Sequence, residues 1–126
     1  MTNIAKFLRK LRIDNEQSLE KMAELIKLSP AYLSAIEHNK RKIPEDMKEK
    51  IFDKYTLTEE QKLELSRIIA EGREKLVIDL AEFQNDRSEY VDTAVMFAHD
   101  LSKMNRNQLE EVRKLLLNIK SEVSPM

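Results

Sequence analysis

Apolar residues recur at spacings of three and four through Ile4, Phe7, Leu8 and Leu11, which predicts an amphipathic helix over residues 3–13. A second stripe, Met22, Ala23, Leu25 and Ile26, opens behind Ser18, whose hydroxyl suits a helix N-cap. Leu28 fills the corner that follows. Ser29 and Pro30 then restart a helix: the serine oxygen accepts a hydrogen bond from a free helix-start N–H, and proline in the first position lacks only a donor that had no partner there. This third helix runs from Pro30 to about His38 and buries Leu33 and Ile36. Pro30, Ala31, Ser34, Ala35 and His38 are left on the outward face.

Pro44 is expected to begin a fourth helix whose Met47, Ile51 and Tyr55 continue the core. Leu57 introduces Thr58-Glu59-Glu60-Gln61, a capping box opening a fifth helix that ends near Gly72 and packs Leu65, Ile68 and Ile69 inward. From Lys75 the pattern changes. Lys75 to Leu80 is rich in β-branched residues and places Leu76, Ile78 and Leu80 on one face, so a short strand competes with a helix continuation. The chain offers no second strand, and an extended segment here would pair with its copy in a second subunit. Asp86 with Glu89 is a further capping-box candidate, opening a helix along Val91, Ala94, Phe97, Ala98 and Leu101. Asn105 with Gln108 is another, opening a last helix with the stripe Leu109, Val112, Leu115, Leu116 and Ile119. These two helices carry more apolar surface than a hairpin of two can hide, so they should dock onto the fifth helix or onto a partner subunit. The pattern predicts an all-α protein: a five-helix domain over residues 1–72, and a C-terminal dimerisation extension, 73–126, holding the candidate strand and two helices. The residues assigned to dimerisation are Leu76, Ile78, Leu80, Val91, Phe97, Leu101, Leu109, Val112 and Leu116.

Composition agrees with this outline. One Gly, three Pro and 36% charged residues suit a nearly all-helical chain, and 41% hydrophobic residues suffice for a core. There is no Cys, so disulfides and thiolate metal sites are excluded, which fits a reducing cytoplasm. No apolar run approaches a membrane span of about 20 residues, and Met1 to Arg12 lacks the apolar core of a secretory signal; a cytoplasmic protein without membrane partners is expected. The net charge of −1 hides a division: residues 1–55 carry 12 Lys and Arg against 9 Asp and Glu, and residues 56–126 carry 10 against 14. Lys40, Arg41 and Lys42 lie just beyond the third helix, and Lys6, Arg9 and Lys10 lie on the first. A polyanion is the natural partner of the N-terminal part, and neutralising its phosphates would release counterions and make binding salt-dependent.

Leu11-Arg12, Ser18, Met22-Ala23, Leu28-Ser29 and the stretch Tyr32 to Glu37 together resemble the phage-repressor-like (XRE, Cro/repressor type) helix-turn-helix regulators, over residues 3–70. The resemblance implies that the third helix lies in a DNA major groove, and that an Arg12–Glu37 ion pair ties it to the first helix. It assigns duplex contact to Ser29, Pro30, Ala31, Tyr32, Ser34, Ala35, His38 and Asn39, and to the run Lys40 to Lys42. Three departures limit the carry-over. Leu19 stands where many relatives place a phosphate-binding Gln, and Lys27 stands in the turn position usually given to Gly, with Asn39 in the one after the third helix. Pro30, Ala31 and Ala35 cannot form the bidentate base contacts of Arg, Asn or Gln. Alanine can still touch thymine methyls, and Ser29, Tyr32, Ser34 and His38 can hydrogen-bond, so the expected readout is weakly specific and assisted by DNA shape.

Catalysis has little to stand on. His38 and His99 lie in separate regions, neither with a second ligand at metal-binding spacing, and no phosphate loop or nucleophile elbow is present. No cofactor is expected. The function expected is a sequence-specific transcriptional regulator, a homodimeric autorepressor of a prophage, mobile-element or toxin–antitoxin operon, bound to a double-stranded operator. The C-terminal helices are candidates to hold a toxin or other protein partner. The alternative is a protein-interaction module that has kept the fold with weak or no operator binding.

Overall fold

A computed structural model describes residues 2–123, with side-chain surroundings for residues 2–120. The described residues form seven α-helices: α1 (Asn3–Asp14), α2 (Leu19–Leu25), α3 (Pro30–Glu37), α4 (Met47–Lys54), α5 (Glu59–Arg73), α6 (Arg87–Leu101) and α7 (Arg106–Val123), with a 3₁₀ turn at Leu80–Glu82. The chain divides into two compact units, Met1–Val77 and Ile78–Met126. No strand occurs among the described residues: Lys75 to Asp79 has no regular structure and Leu80 enters the 3₁₀ turn. The alternation of β-branched residues there finds no neighbouring strand to pair with, and a lone strand is not stable.

Among the described residues every buried side chain lies between Ile4 and Leu65. The first unit therefore has its own core, in which Leu8, Met22, Ile26, Leu33, Ile51 and Leu65 are fully enclosed. Helix starts are satisfied by side chains: Thr2 Oγ1, Ser18 Oγ and Ser29 Oγ accept from the N–H groups of Ala5, Lys21 and Tyr32 at 3.1, 3.0 and 3.1 Å. Thr58 and Gln61 form a reciprocal capping box at 3.1 and 2.9 Å, and Asn105 and Gln108 another at 2.9 Å both ways. Asp86 forms none, because its φ of 53° turns the side chain from the helix start. Pro44 does not open α4; its carbonyl accepts from the Met47 N–H in a turn, and the helix begins at Met47. The residue before it, Ile43, is buried, and the turn brings the chain from that anchor to the helix.

Four helices end in the same way without glycine. Glu16, Lys27, Asn39 and Glu74 take left-handed φ of 54–59°, and the following N–H reaches back to the carbonyls of Arg12, Ala23, Ala35 and Ala70. This is the Schellman closure, which glycine normally supplies because a Cβ costs roughly 1–2 kcal/mol in that conformation. The one glycine, Gly72, sits inside α5 instead, where an added Cβ would make ordinary contact with Ile43 at 3.7 Å. Tyr55, buried behind α4, donates its hydroxyl to Gln17 Oε1 and so ties α4 to the link between α1 and α2.

Candidate nucleic-acid interface

The α2–α3 pair is set by its two serine caps and by the left-handed turn at Lys27 between them. Met22, Ala23 and Ile26 on one side and Leu33 and Ile36 on the other are sealed against α1, fixing the angle at which α3 leaves the surface. On the opposite side of α3, Pro30, Ala31 and Tyr32 are exposed, Ser34 and Ala35 are half-buried, and His38 and Asn39 are exposed beyond the helix end. A helix with one face in the core and a small-residue face in solvent can enter a major groove about 12 Å wide.

Arg12 and Glu37 meet beneath this face. The guanidinium donates Nη1 to Glu37 Oε2 at 2.6 Å and Nη2 to Oε1 at 3.1 Å, with both residues buried. A bidentate fork of this kind fixes orientation as well as distance. Two further contacts hold α3 to α1. Thr2 donates its hydroxyl to the Glu37 carbonyl at 2.8 Å, and Arg9 Nε stands 3.7 Å from Glu37 Oε1. The sequence gives no local signal for these long-range contacts.

The cations are distributed unevenly. Lys40, Arg41 and Lys42 are all exposed, and none joins an ion pair among the described residues. Their backbone is anchored at both ends. The Lys40 N–H closes the α3 terminus on Ala35, and buried Ile43 has its carbonyl held by Arg73 Nη1 of α5. Arg73 also reaches Glu45 at 2.8 Å, with Lys75 on the same carboxylate at 3.2 Å. The Arg41 guanidinium lies 5.8 Å above the Tyr32 ring, a cation–π contact joining the run to the α3 face. On α1, Arg9 borders a hollow with His38, whereas Lys6 and Lys10 border a different hollow with Gln61 and Glu64. Arg9 thus shares the α3 side and the two lysines do not.

His38 Nδ1 is 2.8 Å from the Ser34 carbonyl. A carbonyl only accepts, so Nδ1 is the donor in this contact. Ser34 Oγ lies 3.4 Å from the same nitrogen. His99, by contrast, pairs with Asp100 on exposed α6, and no metal-binding group of three His, Cys, Asp or Glu occurs among the described residues.

A family model described as a helix-turn-helix domain matches residues 5–93, more than half of the 126 residues. The chain belongs to the helix-turn-helix family, of the XRE type. Neither a curated protein nor a solved structure gives a match. Membership makes this helix-turn-helix protein a DNA-binding regulator of transcription, with α2 and α3 as its two-helix motif. No helix among the described residues is long and apolar enough to cross a membrane.

The residues named for self-association fall into two groups. Leu76, Ile78, Phe97, Leu101, Leu109 and Leu116 are exposed, by 38–68%, while Leu80, Val91 and Val112 are half-buried.

Proposed function

We propose that the protein is a sequence-specific repressor acting as a homodimer on an operator upstream of its own gene, in a prophage, mobile-element or toxin–antitoxin setting. The observation that carries this reading is the solvent-facing side of α3, flanked by three anchored cations that join no ion pair among the described residues. Ser29, Tyr32, Ser34, His38 and Asn39 supply polar contacts, and Pro30, Ala31 and Ala35 allow the backbone to approach the bases closely. Lys40, Arg41 and Lys42 hold the phosphates. Residues 1–72 are the DNA-binding part and residues 73–126 the assembly part. Two linked copies share one association cost, which offsets the small number of base-reading side chains on each α3.

One observation favours a second reading. Three of the outward α3 residues cannot form bidentate base contacts, so an interaction module holding a toxin or other protein, with little operator affinity, is the competing assignment. Fluorescence anisotropy with a duplex from upstream of the gene separates the two. The repressor reading expects binding poorly competed by random duplex, and Lys40/Arg41/Lys42→Ala should flatten the slope of log affinity against log salt by up to about 0.9 per lost phosphate contact in each copy. Binding indifferent to these substitutions supports the module.

A further inference from the structure

From Ser66 to Lys120 no side chain is buried. Eleven large apolar side chains between Ile78 and Ile119 are exposed, although α6 and α7 are joined by only a short link. Among the described residues α6 and α7 bury no side chain against each other. Each keeps an exposed apolar face: Phe97 and Leu101 on α6, with Tyr90, whose ring also stacks on Phe83 at 4.6 Å, and Leu109, Leu116 and Ile119 on α7. Isolated helices of 15 and 18 residues are marginal in water, so helices with open faces need an apolar partner to persist.

We infer that the second unit folds only against a second copy of itself, α6 of one chain lying along α7 of the other in a four-helix assembly. This rests on the homodimer reading above and supplies its surface. Charge points to a copy of this chain as the occupant. α6 carries three carboxylates against one arginine, while α7 over residues 106–120 carries four cations against two carboxylates. A two-fold axis applies that match twice. The helices, about 22 and 27 Å long at 1.5 Å per residue, overlap over most of their length. Covering the six named side chains removes roughly 500 Å² per copy; with their polar rim, two copies reach the roughly 1,200–2,000 Å² of stable interfaces.

The test uses the full chain. Light scattering should give a dimer mass, and Leu116→Asp should give a monomer. In that monomer the amides of α6 and α7 should exchange at least 100-fold faster while those of α1 to α5 keep their protection. Because the sequence has no cysteine, Phe97→Cys and Leu116→Cys chains can be mixed under oxidation, and the mixed disulfide should exceed either symmetric one. A monomeric wild type at 200 µM, on the order of protein concentrations where such interfaces saturate, overturns the inference, as does a symmetric Leu116→Cys disulfide as the main product. A dimer that ignores DNA would remove the repressor reading and leave this one standing; a monomer that binds the operator would do the reverse.

Discussion

Breaking the Arg12–Glu37 fork from either side should cost unequal amounts, because the two partners have unequal alternatives. Arg12 is 8% and Glu37 2% exposed, so removing either leaves a charge that water cannot reach. Such an orphan typically costs about 3–5 kcal/mol. After Arg12→Met, Glu37 still has Arg9 Nε 3.7 Å away, on a side chain that is itself half in water. The loss should fall near the lower limit, about 3 kcal/mol. After Glu37→Met, the guanidinium keeps, among the described residues, only the weak hydrogen bond to the Met22 sulfur at 3.4 Å and no carboxylate partner, and the loss should be nearer 4–5 kcal/mol. Replacing both residues with Met removes both orphans, and the double variant should lie within about 1 kcal/mol of the parent. Urea unfolding of the full chain, followed at the amides of Leu8 and Leu33, reads all three. Single variants that lose less than about 1 kcal/mol, or a double variant that loses the sum of the two, would refute the reasoning.

Lys27→Gly should raise stability by about 0.5–1 kcal/mol, the left-handed strain relieved less the extra freedom gained by the unfolded chain; a lower urea midpoint would contradict this. Burial pushes the Tyr55 phenol above its ordinary 10.0, against an opposing pull from Arg12. The neutral ring's contribution is therefore complete below about pH 10 and is lost as pH rises through the folded value, so the parent should lose stability more steeply there than Tyr55→Phe. Parallel alkaline profiles would remove that assignment. Residues 1–77 should fold alone and bind the operator at least tenfold more weakly than the full chain. The cut follows Val77, since Arg73 and Lys75 hold Ile43 and Glu45, and equal affinity would count against the assembly role.

Local signals carried most of the fold. The serine caps at Ser18 and Ser29, the Thr58–Gln61 and Asn105–Gln108 boxes and the stripes of α1 to α5 depend on neighbours a few residues away, and all are present in the structure. Failures arose where one residue answers to tertiary demands. Asp86 has the right spacing from Glu89 but a left-handed backbone, and Pro44 lies in a turn set by the burial of Ile43. Lys75 to Leu80 has the composition of a strand with nothing to pair with. At the site, exposure of the α3 face follows from the burial of Leu33 and Ile36, and was legible. Thr2 on the Glu37 carbonyl, Arg73 on Ile43 and Tyr55 on Gln17 join residues 30 to 38 positions apart and have no pattern to announce them.

The central claim is that the outward side of α3 and the run after it meet a duplex. An amide chemical-shift titration of the full chain with DNA from upstream of its gene tests it most directly. The largest changes should fall between Ser29 and Lys42, with the enclosed amides of Leu8 and Ile51 nearly unmoved. Saturating duplex that leaves Ser29 to Lys42 unshifted would contradict the account.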